Sequence, residues 1–350
     1  MSEPAVSAPT ASRRTRWLVL APTLLLLALA GGWSAFWFYA AHRADAAIDV
    51  WLAREASHGR VYACDKRTLR GFPFRAELVC DGVTAKAPAD GGPVVMTAPR
   101  FTAVAQVYDP NRVIGELDGP VAITMADGRR ADLSFALAQA SMAISSGKRF
   151  ERASIEIDAP RLVSGADEIA AAKALQLHMR RTPDAPEGSY DFALKLDDGG
   201  SPMLDLLPVG SGPVSVELQA RASGLEDLRP QPTSERLRAF AEAGGRVHVA
   251  LARVSRGEVA AEARGDLGLD PQGRVDGGGD VVARGVDGLV QGFIAGGKKT
   301  ALASLLGVGA QLLGAQTQLD GQPATSYRVS IERGKVAIGP IKVYKLPSAF

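Results

Sequence analysis

The chain has 350 residues, 46% of them hydrophobic and 22% charged, with two cysteines and four histidines. Its net charge is +2, and the four arginines and one glutamate before residue 44 account for +3 of that, leaving the remainder close to −1. This balance excludes a basic field for nucleic acid, and the length suffices for one large or two modest domains with substantial cores.

Residues 1–12 are small, polar and proline-bearing, and read as a disordered cytoplasmic tail. An uninterrupted apolar run follows from Trp17 to Ala41, preceded by Arg13, Arg14 and Arg16. As a helix rising about 1.5 Å per residue it spans a hydrocarbon core of roughly 30 Å. Trp33, Phe36, Trp37, Phe38 and Tyr39 gather at its far end, where amphipathic rings favour the headgroup zone. The arginine side stays in the cytoplasm, so residues 13–43 read as a single-pass inner-membrane anchor and the chain beyond as periplasmic. The competing reading is a cleaved secretory signal, with Ala44-Asp45-Ala46 imitating a cleavage site. The run is longer than the apolar region of about 7–15 residues that signals carry. Either reading exports the rest. Residues 44–58 continue as a juxtamembrane helix, with Ile48, Trp51 and Leu52 at helical spacing and Gly59 as its stop.

After Gly59 the apolar period changes to two. Val61–Cys64 and Phe74–Cys80 read as paired strands around the turn Gly71-Phe72-Pro73-Phe74. Cys64 and Cys80 lie in an exported segment, where thiols are expected to pair, and such a loop contributes about 3 kcal/mol. The plainer alternative is two buried free thiols. No histidine stands at ligand spacing from either sulfur, so no metal is assigned. Arg67, Arg70 and Arg75 are the densest cation set. With Phe72, Pro73 and Phe74 they form a candidate contact hairpin for a partner or a lipid headgroup, against the simpler reading of a solvated, self-packed hairpin.

Further strands are expected at 100–108, 113–117, 121–125, 133–144 and 153–157, separated by Gly, Pro and Asp turns. Asp167–Leu177 is alanine-rich and reads as a helix, or as a helical turn entering a strand at Ala174–Arg180. The loop 182–188 is a candidate boundary between lobes 59–181 and 189–350. Strands 190–196 and 214–221 follow, then a helix from Pro232 to Ala243 capped by Thr233 or Ser234. A second strand-rich block runs from Val247 to Arg284. Val286–Gly314 reads as one or two apolar helices, broken near Gly296-Gly297 and poor as a second span. Strands at 326–332, 335–338 and 340–344 close the chain. The fold class is mainly β, α+β overall: a long curved antiparallel sheet with a few short covering helices, preceded by one transmembrane helix.

No Gly-x-Ser-x-Gly elbow, His-Glu-x-x-His, phosphate-binding lysine loop or Cys-x-x-Cys occurs, so no catalytic or cofactor residue is assigned. His178 and His248 read as packed or surface side chains. Asp270, Asp276 and Asp280 around Gly277–Gly279 read as turn carboxylates rather than a calcium loop.

Val61-Tyr62-x-Cys64, Gly71-Phe72-Pro73-Phe74-Arg75, Cys80, Val107-Tyr108-Asp109-Pro110-Asn111-Arg112 and Gly119-Pro120 together resemble the bacterial domain-of-unknown-function family 2125, across nearly the whole exported chain. That family implies no activity. The carboxyl-terminal block (Gly265-Asp266-Leu267-Gly268-Leu269-Asp270, then Gly334-Lys335-Val336-x-Ile338-Gly339-Pro340) is more loosely similar to AsmA-like envelope proteins. That similarity implies an open sheet with an apolar groove and a role in moving lipid between membranes. The expected function is noncatalytic: holding or passing a lipid-like ligand, with the inner membrane and a lipid or another envelope protein as partners. An anchored scaffold binding through a sheet edge is the alternative, and an unrecognised hydrolase a remote one.

Overall fold

The computed structural model describes residues 13–145, 149–205, 211–285 and 314–350. The helices expected from Val286 therefore lie, up to residue 313, outside the described residues.

Helix α1 (Arg13–Ser57) is unbroken over 45 residues, about 67 Å. It is long and apolar enough to cross a membrane. Crossing needs only about 20 residues, so α1 has turns to spare. Among the described residues twenty strands follow. They are β1 (Val61–Arg70), β2 (Arg75–Ala87), β3 (Val94–Gln106), β4 (Asp109–Leu117), β5 (Val121–Thr124), β6 (Arg130–Ser134), β7 (Leu137–Ile144), β8 (Phe150–Asp158), β9 (Arg161–Ser164) and β10 (Asp167–Ala171). After these come β11 (Ala174–Arg181), β12 (Tyr190–Gly199), the short helix α2 (Pro202–Asp205), β13 (Val214–Ser223), α3 (Thr233–Glu242), β14 (Arg246–Arg256), β15 (Val259–Leu269) and β16 (Val275–Arg284). The chain ends with β17 (Ala315–Leu319), β18 (Gln322–Glu332), β19 (Lys335–Ile338) and β20 (Ile341–Lys345).

All the described strands belong to one sheet, and every pairing among them is antiparallel. The main ladder runs β1-β2-β3-β4-β7-β8-β11-β12-β13-β14-β15-β16-β18. A branch leaves the first half of β3 and continues β5-β6-β9-β10. On the far side of β18 lie β17 at one end and β19, then β20, at the other. Strands β11 and β12, on either side of residues 182–188, pair over eight residues.

Residues 167–171 are strand, not helix. Their alanines favour a helix intrinsically, but pairing with β9 and a bridge from Ala171 to Gly200 override so weak a preference. The cap of α3 also departs from expectation. Neither Thr233 nor Ser234 caps the helix from its own side chain, and Pro232 stands at the N-cap. The Asp90 carboxylate, from the β2–β3 turn, accepts the Thr233 and Ser234 backbone N–H groups at 3.1 Å each.

That contact, with another from Arg60, measures the curvature of the sheet. The Arg60 guanidinium donates to the Pro230 carbonyl at 3.2 Å. In a flat sheet β1 and β13 would lie eight spacings apart, about 38 Å, with the start of β1 and the end of β13 also at opposite strand ends. Pro230 is seven residues past Ser223, a reach of at most about 25 Å. The sheet must therefore curl. Register shifts near Leu196, Gln219 and Val249 supply local bends. Helix α3 crosses from the Asp90 turn to the carboxyl terminus, where Arg238 lies 5.2 Å over the Phe350 ring. Phe240 is buried against Gly245, where any side chain would collide with its ring.

Buried side chains are mostly small: Ala131, Ala138, Ala143, Ala222, Ala241, Ala260, Ala283 and Ala324 join Val79, Val121 and Phe240. Among the described residues no large side chain is fully enclosed. One layer of sheet cannot enclose them.

Candidate functional site

Side chains alternate between the faces of a strand, so register decides which residues share a face. Following direct partners along the main ladder, one row reads Leu69, Leu78, Ala103, Gly115, Ala140, Ile155, Leu177, Leu194, Leu218, Ala252, Ala263, Val281 and Tyr327. It crosses thirteen strands without a charge. The adjacent row, from Ala76 through Met142, Met179, Phe192 and Val249 to Ile338, is equally uncharged. Several larger members of this face are open to solvent, Met142 at 45%, Ile155 at 41%, Leu177 at 36% and Val254 at 44%, while Met179, Phe192, Leu194, Leu218 and Tyr327 are half-buried. At one end the branch stands opposite β12 and β13 across a cavity of about 290 Å³ lined by Leu133, Leu162, Leu196, Leu204 and Val214.

The other face is polar. Glu156, Gln176, Lys195, Glu217, Arg253 and Glu262 are successive partners there. Asp191 sits between Arg180 at 3.1 Å and Arg221 at 2.9 Å. Burial pushes the Asp191 carboxyl up, but hydrogen bonds from Arg221, Thr182 and Arg180 outweigh it and leave the group below its ordinary value. His178 pairs with Ser154 at 2.9 Å and His248 with Asp266 at 2.8 Å, each across a ladder on this face. Asp270 accepts backbone N–H groups from Gln272 and Arg274 and so shapes the β15–β16 turn. Among the described residues no group of His, Cys, Asp and Glu is placed to hold a metal.

Cys64 and Cys80 are bonded, with Cα atoms 5.3 Å apart. The ladder partners of these residues are Val83 and Arg67, so a regular hairpin would keep them apart. Between these pairs Asp65 and Gly82 are not ladder partners; Gly82 has a φ of +63°, and a side chain there would strike the Asp65 carboxylate.

The hairpin that these cysteines bracket packs on the aromatic end of α1. The Trp33 indole donates to the Pro73 carbonyl at 2.8 Å and that of Trp37 to the Arg75 carbonyl at 3.1 Å. Phe72 stands edge-on to Trp37 and stacks on Phe38, and Phe74 lies against Trp33. Arg67 reaches back to Asp45 at 3.0 Å and Asp49 at 2.8 Å on α1. Arg70 and Arg75 share Glu77, at 2.9 and 3.2 Å. The three cations are thus paired within the chain. A cleft of about 650 Å³ remains between α1 and β1, lined by Trp37, His42, Arg67 and Leu69 among others. Sequence reasoning missed the indole donors, Asp90 and the uncharged rows. The i, i+2 spacing of apolar residues was the available signal for the rows.

In its described residues the chain is thus of the class built from one long apolar helix and a single amphipathic antiparallel sheet. Residues 37–347 match the profile of DUF2125, described as an uncharacterized protein conserved in bacteria, and the chain belongs to that family. The match starts at Trp37 and takes in the hairpin and the sheet. It carries no AsmA-like assignment, and no curated protein matches the sequence.

Proposed function

We propose that the chain is an inner-membrane protein of the bacterial envelope, anchored by α1 with its amino terminus cytoplasmic. Its periplasmic sheet holds or passes a lipid-like ligand on the apolar face, without chemistry on that ligand. The observation that carries this reading is the uncharged row from Leu69 to Tyr327, in which Ile155 and Leu177 stay open to solvent and the other large side chains are half-buried. Monomers in water rarely leave a contiguous apolar patch above a few hundred Å² uncovered. Thirteen strands at about 4.8 Å spacing make the row about 58 Å long, measured along the sheet. Arg13, Arg14 and Arg16 before the apolar run favour the orientation.

Native mass spectrometry of the detergent-extracted full chain is expected to find a lipid of defined mass bound to it. A variant carrying Leu177→Lys and Leu194→Lys should lose that lipid while keeping its far-ultraviolet circular dichroism. A lipid-free wild type with a stable protein partner would replace this reading with an anchored scaffold that binds through a sheet edge.

A further inference from the structure

Helix α1 carries its own depth scale. With Arg16 at one boundary, a hydrocarbon core of about 30 Å ends roughly 20 residues later, at Phe36 or Trp37. The β1–β2 turn is hydrogen-bonded to Trp33 and Trp37. A turn bound at that height cannot stand clear of the bilayer. Its side chains suit the position: Phe72 is 50% exposed and Phe74 64%, beside the equally open Phe36, Phe38 and Tyr39 of α1. Tyr108, 69% exposed, joins them from the β3–β4 turn, which the Val107 N–H ties to the Phe74 carbonyl at 3.0 Å.

The backbone of the turn meets in part the demand that irregular chain at membrane depth have its polar groups satisfied internally. Pro73 has no N–H. The carbonyls of Gly71, Pro73, Phe74 and Arg75 accept from the Arg75 N–H, the Trp33 indole, the Val107 N–H and the Trp37 indole. The cations flanking the turn, Arg70 and Arg75, are engaged by Glu77, which leaves the aromatic side chains as the contact proposed below.

We propose that the tip of the β1–β2 hairpin, with Tyr108 beside it, is inserted into the leaflet at the far end of α1, at the boundary between headgroups and acyl chains. This rests on α1 crossing a membrane, and is independent of whether the apolar face holds a ligand. It brings the start of that face, at Leu69 and Leu78, against the leaflet.

The test uses the full chain in phosphatidylcholine nanodiscs with the photo-cross-linker p-benzoylphenylalanine at one position at a time. Probes at Leu27, in mid-helix, and at Phe74 are expected to form lipid adducts visible in the intact mass. A probe at Met203, at the opposite end of the sheet and 74% exposed, should form none. An adduct at Leu27 without one at Phe74 overturns the inserted tip and leaves the anchor standing. No adduct at Leu27 overturns both. Adding anionic lipid should leave the Phe74 yield unchanged, and a yield that depended on it would overturn the apolar contact in favour of headgroup binding.

Discussion

Single side chains tie distant parts of this chain together. Asp90 caps a helix whose first residue lies 143 positions later, a contact invisible in the sequence because Thr233 and Ser234 already offer a local cap. Glu55 and Arg60 form a buried pair where α1 turns into β1, and Arg60 also reaches Pro230. Removing one partner of a buried pair leaves the other charge uncompensated. Glu55→Ala is therefore expected to lower the denaturant midpoint far more than loss of the exposed Arg100–Asp81 pair, with both variants compared in one urea series. Asp227 offers a pH test. Hydrogen bonding from Arg229 holds its carboxyl down to about 2, against burial that pushes it up. A depressed carboxyl stabilises the fold above its unfolded value, near 4, and the contribution is lost as pH falls towards 2. The carboxylate is 41% exposed, so water and salt reduce the effect. Asp227→Asn should flatten that stretch of the acid-unfolding curve, more visibly at low ionic strength.

Among the elements, the β1–β2 hairpin was the most legible. Its cysteines, its proline-bearing turn and its alternation all stand in the sequence. The positive φ of Gly82 does not, because a lone glycine in an alternating run looks like any other strand residue. Replacing both Cys64 and Cys80 by Ser is expected to cost about 3 kcal/mol, the loop-closure value for this separation, measured as a shift in chemical denaturation that matches adding reductant to the wild type. Residues 167–171 were ambiguous, since a short alanine-rich stretch suits helix and strand alike, and the β9 partner that decides the matter, one tight turn upstream, is itself only four residues long. Helix α3 was legible as a helix but not as a strut. Its single large buried side chain is Phe240, and Phe240→Ala is expected to cost about 3 kcal/mol. Amide exchange should then accelerate in α3 and in the Asp90 turn before it does in β8.

For the molecule as a whole, alternation disclosed strands but not their neighbours. The uncharged face exists only once thirteen strands are in register, and a slip of one residue in any of them would turn polar side chains onto it. Sequence order also hid the branch, because β4 and β5 share β3 as partner. A face of this kind gives a quantitative expectation for ligands. Each buried methylene is worth about 0.8 kcal/mol, or roughly fourfold in affinity. Binding of single-tailed amphiphiles below their micelle concentration should therefore tighten about fourfold per added carbon, as followed by displacement of an apolar fluorescent dye. A flat dependence on tail length would deny the face that role.

The four attachments of α1 have one mechanical consequence. Trp33 and Trp37 hold the hairpin, Asp45 and Asp49 hold Arg67, Trp51 stacks on Tyr62 at 5.1 Å, and Glu55 clasps Arg60. Fastenings spread over some 22 residues, about 33 Å of rod, leave the sheet no freedom to swing. The stem works as a rigid bracket, not a leash, so any tilt of the rod is imposed on the whole plate it carries.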